Sequence, residues 1–144
     1  MFTRQVGVII WVVPDAMPDD LARRWYDYWR RFSGTRAERK ALELGEPPDI
    51  VAAHDWVSER VAEGGPASVE VLATLAEAAP DDGLTVGVGP IEDLLYTHGD
   101  DIVDQLVDHA RRVPALARAL AHVSLADGSV SASSIAKLER YRRR

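Results

Sequence analysis

Within ten residues the chain places Glu92, Asp93, His98, Asp100 and Asp101, its densest grouping of side chains able to do chemistry. A histidine beside a carboxylate can work as a general acid–base pair, because its unperturbed pKa lies near neutrality. The spacing opposes a direct dyad inside one helix. Glu92 and His98 are six residues apart and Asp93 and His98 five, whereas side chains that face each other on a helix lie three or four apart. His98 instead continues the apolar stripe Ile91, Leu94, Leu95 at i, i+3, i+4 and i+7,. That position favours a core or capping histidine bonded to a backbone carbonyl. Glu92 and Asp93 read first as acids of a helix's opening turn, where the positive end of the macrodipole stabilises carboxylates. Glu92, Asp93 and His98 are the catalytic or ligand-binding candidates only if other helices complete a pocket around them.

Other chemistries find little support. The chain has no cysteine, which removes disulfides, thiolate metal sites and cysteine nucleophiles. Gly87-Val88-Gly89 is a bare G-x-G followed by Pro90, and proline lacks the N–H that a phosphate would want there. His54, His98, His109 and His122 show no ligand-pair spacing,. Neither Asp81-Asp82-Gly83 nor Gly99-Asp100-Asp101 has the alternating oxygen ligands of a calcium loop,. No metal or cofactor is expected.

The elements that must position these residues are helices. Pro90 after a glycine suits a first helical position, and Gly99 suits a helix end, which predicts a helix over about 90–98. The pattern extends upstream through Leu84, Val86 and Val88, with Gly89-Pro90 as a kink. Asp100 then reads as an N-cap, followed by a one-sided stripe of Ile102, Val103, Leu106, Val107, Ala110 and Val113,. Asp100, Asp101, Asp104 and Asp108 lie largely off that stripe and form a possible interaction surface. Pro114 opens a further helix through Leu116, Leu120 and Val123.

Upstream, a helix over roughly 20–32 puts Leu21, Trp25, Tyr28, Trp29 and Phe32 on one face among arginines. Such a face can stack nucleic-acid bases, yet helical spacing of the aromatics favours a core-facing role. A short helix from Thr35 to Leu44 follows. The next, from Asp49 to about Glu63, has Ile50, Ala53, His54, Val57 and Val61 on one face, with Trp56 off the stripe. Ala67 to Ala79 forms another. A last helix passes through Ile135 and Leu138 into a basic end, Tyr141 to Arg144. Short, Pro/Gly-punctuated connections predict a mainly α fold, a compact array of short antiparallel helices in helical hairpins, with a solenoid-like stack as a variant.

At 144 residues the chain is read as one domain, able to bury about two-thirds of its unfolded surface. Residues 5–13 are apolar and too short to span a bilayer. Pro14-Asp15-Ala16-Met17 lacks a small-x-small cleavage site,, so residues 1–19 are read as an extended segment with a possible strand. A cytoplasmic location is expected. Residues 46–130 hold 16 Asp/Glu against 4 Lys/Arg, a net −12, between a first segment at +2 and residues 131–144 at +4. An acidic body disfavours nucleic acid, whose phosphates need a cationic surface, and it suits a basic protein partner. No membrane association is expected.

Gly89-Pro90-Ile91-Glu92-Asp93-Leu94-Leu95, then His98-Gly99, Ala110 and Leu120-Ala121-His122-Val123, together resemble a family of small bacterial domains of unknown function. Its members show G-P-L-E-D-L-L, a following H-G and a later L-x-x-V. The likeness spans about 66–123 and loosens over 20–65, where Trp25 and Trp29 echo aromatic positions. It departs at Ile91, where leucine is usual, and at Ser124, where an aromatic often follows the valine. The resemblance implies a compact, mainly helical, cytoplasmic protein and brings no activity. The reading is therefore a non-catalytic interaction, regulatory or immunity-like domain. Its rival is an enzyme or small-ligand protein using Glu92, Asp93 and His98. Nucleic-acid binding through Arg142 to Arg144 is the third.

Overall fold

The computed structural model describes residues 16–125 and 129–142; the apolar run at 5–13, with its expected strand, lies outside them, as do Arg143 and Arg144. Helix α1 (Leu21–Phe32) is followed by α2 (Arg36–Glu43), α3 (Pro48–Glu63) and α4 (Gly65–Glu77). A continuous helical run then comprises α5 (Leu84–Val86), a π segment (Gly87–Ile91) and α6 (Glu92–His98). The chain continues with α7 (Asp100–Arg112), α8 (Pro114–Leu120) and α9 (Ala132–Arg142). The described residues contain no strand, and the protein is mainly α.

Local signals set the boundaries. Thr35 caps α2 in a reciprocal box: its hydroxyl accepts from the Glu38 N–H at 3.1 Å while Glu38 accepts from the Thr35 N–H at 2.9 Å,. The bond from the Thr35 backbone N–H holds the Glu38 carboxyl below its usual range. Pro48 and Pro114 stand at first helical positions. Asp20 precedes α1 in the left-handed region at φ 56° and makes no side-chain cap.

Packing follows the predicted stripes. Leu72, Leu75, Leu94, Leu95, Leu106 and Leu116 are completely buried, and each such side chain contributes about 1.5–3 kcal/mol by leaving water. Helix α1 lies on α3, α4 packs against both α7 and α8, and α9 closes over α7 and α8. The run from Leu84 to His98 passes between these groups, touching α3, α4, α7 and α8. Trp56, off its predicted stripe, is buried with the Arg60 guanidinium 5.1 Å from its ring centre.

Pro90 does not begin a helix. It sits buried inside one, in the wider π turn, where the missing N–H is accommodated by a local change of hydrogen-bond register. Gly87 makes this run fit: a Cβ there would lie 2.4 Å from the Ala119 carbonyl oxygen, so only glycine lets the π segment meet the backbone of α8.

Candidate functional site

The residues grouped at 92–101 divide between those bonded to other elements and those without such partners among the described residues. His98 ends α6, and its Nε2 lies 2.9 Å from the Val61 carbonyl oxygen in the last turn of α3. Carbonyls in that turn lack intrahelical donors, so the imidazole donates Nε2–H and satisfies one of them. The ring covers Gly64, which has φ 73°; a Cβ there would stand 2.6 Å from His98 Cε1. Gly64 therefore has two reasons to be glycine, its backbone conformation and the ring against it. The expectation of a histidine bonded to a backbone carbonyl matches this geometry.

Glu92 opens α6, and its Oε2 accepts from the Ser124 N–H at 2.8 Å, tying α6 to the segment after α8. Asp100 is the first residue of α7, not its cap; Gly99 holds the cap position and no side chain bonds there. The carboxylate reaches across to α9 instead. It accepts from the Ser131 N–H at 2.8 Å and from Ser134 Oγ at 2.7 Å. Those bonds, the Ser131 backbone donor first and the Ser134 hydroxyl second, hold its carboxyl below the usual range. Asp104 pairs with Lys137 of α9 at 2.6 Å, and Asp108 pairs with Arg112 of its own helix at 3.2 Å. Asp101 is exposed.

Asp93 takes a different place. Exposed on α6, it lines a cleft of about 240 Å³ between α1, α3 and the π segment. Trp25 and Trp29 come from α1, His54 from α3, and Gly89 and Pro90 from the π turn. The aromatic rings are in mutual contact: Trp25 and Trp29 meet edge to face at 6.1 Å, and Trp29 and His54 at 5.5 Å. Tyr28 stacks on the other side of this group, 3.9 Å from the His54 ring at an interplanar angle of 13°. His54 Nδ1 lies 3.1 Å from the Asp55 carboxylate. The indole nitrogen of Trp29 is buried and has no hydrogen-bond acceptor among the described residues.

The aromatic face of α1 thus divides. Leu21 and Trp25 enter the core as expected, and Tyr26, outside the predicted stripe, donates its phenol to the Leu75 carbonyl at 2.6 Å. Burial, reinforced by the nearby Asp81 charge, holds that phenol above its ordinary range. Tyr28 and Trp29 stay half-buried, and Phe32 is 48% exposed. The partnership of α1 with His54 and Asp93 is long-range, so no spacing announces it. The available signal is the pair of stripes, Trp25 and Trp29 on α1 and His54, Val57 and Val61 on α3.

The four histidines are not assembled. Among the described residues no group of three or more His, Asp or Glu is placed to hold a metal ion. No described helix is long and apolar enough to cross a membrane. No family model matches the chain, and no curated protein or solved structure does.

Proposed function

We propose that this chain is a binding module that takes a basic protein partner, and that it is not a catalyst. The observation that carries the reading is the engagement of Glu92 and His98 by the backbone groups of Ser124 and Val61. An acid–base pair must reach a substrate proton, and these two side chains are turned to structural partners on different elements. Asp93, the third candidate, is left at the cleft with Trp and His rings around it. That is the chemistry of recognition. The charge supports the kind of partner: residues 46–130 carry a net −12, and such a body attracts a basic surface and raises its association rate.

The test is to recover a partner with the tagged chain, purify it, and measure rebinding at low and high salt. The expected result is a basic protein whose affinity falls at least tenfold, an order-of-magnitude figure, between low and high ionic strength. A partner that is acidic, or binding indifferent to salt, would sink the reading.

A further inference from the structure

We propose that the cleft between α1, α3 and the π segment is an arginine-binding site, and that it takes a single arginine side chain from the basic partner. The inference rests on the binding reading above and names the site and the group recognised. Three features of the cleft carry it.

The first is its walls. The half-buried rings of Trp29 and His54 line it, backed by the buried Trp25, and an indole face attracts cations through its quadrupole. A guanidinium is planar and weakly hydrated, so it stacks on such faces better than an ammonium does. The second is Asp93. Its carboxylate is exposed at the cleft and makes no hydrogen bond or ion pair with the described residues, in contrast with Asp100, Asp104 and Asp108. It supplies the counter-charge, and a guanidinium fork can engage a carboxylate through two parallel N–H bonds. The third is Trp29, which lines the cleft and whose buried indole N–H has no acceptor among the described residues. Buried donors are ordinarily paired, and a peptide carbonyl beside the arginine stem supplies the missing acceptor. A free amine or a bare cation has none to offer.

Size agrees with this choice. At about 240 Å³ the cleft is smaller than the roughly 300–1,000 Å³ of sites for drug-sized molecules and cofactors, and it suits one side chain. Gly89 in its lining leaves room as well: a Cβ added there would meet no atom within 4 Å.

The experiment titrates isotope-labelled full-length chain with acetyl-arginine amide and, in parallel, with acetyl-citrulline amide, its neutral isostere. The readout is the Trp29 indole N–H resonance, assigned from its disappearance in Trp29→Phe. The expected result is a saturable shift with the arginine probe, at high-micromolar to millimolar affinity, and none with citrulline. Asp93→Asn should weaken the arginine probe about tenfold and Trp29→Phe, followed through the Gly89 backbone amide at the cleft because its indole signal is gone, several-fold, as loss of a charge-assisted and of a neutral hydrogen bond would,. Equal response to citrulline, an unaltered affinity in Asp93→Asn, or no shift into the millimolar range would each overturn the proposal. The purified partner separates this failure from that of the broader reading. If it binds in a salt-sensitive way and Asp93→Asn leaves its affinity unchanged, the module reading stands and the arginine cleft falls. If the arginine probe binds but no basic partner is recovered, the cleft stands and the protein-partner reading falls.

Discussion

Asp93 and Glu92 are neighbours of the same type, and the fold gives them opposite tasks. One residue of helical rotation turns Glu92 toward the Ser124 N–H and leaves Asp93 at the aromatic cleft. The sequence marks both as first-turn acids and has no means of separating them, because their partners lie on other elements. His98 was more legible. Its place on the apolar stripe predicts a buried backbone bond, and Nε2 meets the Val61 carbonyl. What could not be read was the dependence of that bond on Gly64, 34 residues upstream of His98. The contact makes a coupled pair. Gly64→Ala should destabilise by more than about 1 kcal/mol, since alanine tolerates φ 73° poorly and its methyl meets the imidazole,. In a His98→Ala background the steric part disappears and the conformational part remains, so the two changes should be less than additive. Chemical denaturation of the four proteins in that cycle measures the coupling, and strict additivity would show that the ring and the glycine do not constrain each other.

At the scale of elements, the helices follow the apolar stripes because one-sided helices must cover one another. The stripe of Ile102, Val103, Leu106, Val107 and Ala110 is buried as its spacing predicts. The π segment was legible only as a kink at Gly89-Pro90; a helix that continues through a buried proline needs the tertiary contact of Gly87 with α8. The acidic face of α7 likewise acquires a role that charge counting does not supply. Asp100 and Asp104 hold α9, through Ser131, Ser134 and Lys137. Because the Ser131 N–H and the Ser134 hydroxyl bond the carboxylate more strongly than the neutral acid, the folded-state pKa of Asp100 lies below the unfolded value,. Its contribution is therefore complete above the unfolded value of about 3.9 and is lost as pH falls through the lower folded value. Hydrogen exchange should show α9 losing protection over that acid range before α3 and α4 do. Asp100→Ala, which removes the acceptor, should loosen α9 already near neutrality and remove this part of the pH dependence. Protection of α9 equal to the parent's in that variant would remove Asp100 as its fastening.

For the whole molecule, fold class was accessible from the sequence and function was not, for one physical reason. Helical periodicity is local, while a cleft made by Trp29, His54 and Asp93 exists only once α1, α3 and α6 have met. Charge is the one global property that needs no fold to be summed. The net −12 over residues 46–130 predicts salt-sensitive association with a basic partner, and ionic strength is the variable that checks it. The molecule joins the two: the 92–101 grouping mostly holds the fold, and one acid within it, Asp93, is left to bind.

Thermal melting of Glu92→Ala, Asp93→Asn and His98→Ala beside the parent tests that division most directly. Alanine removes the acceptor of the Ser124 N–H and the donor to the Val61 carbonyl. Loss of a structural hydrogen bond costs about 1–3 kcal/mol, a fall of several degrees for a domain of this size. That fall is expected for Glu92→Ala and His98→Ala, with Asp93→Asn melting at or above the parent. Equal falls in all three, or no fall in Glu92→Ala and His98→Ala, would contradict it.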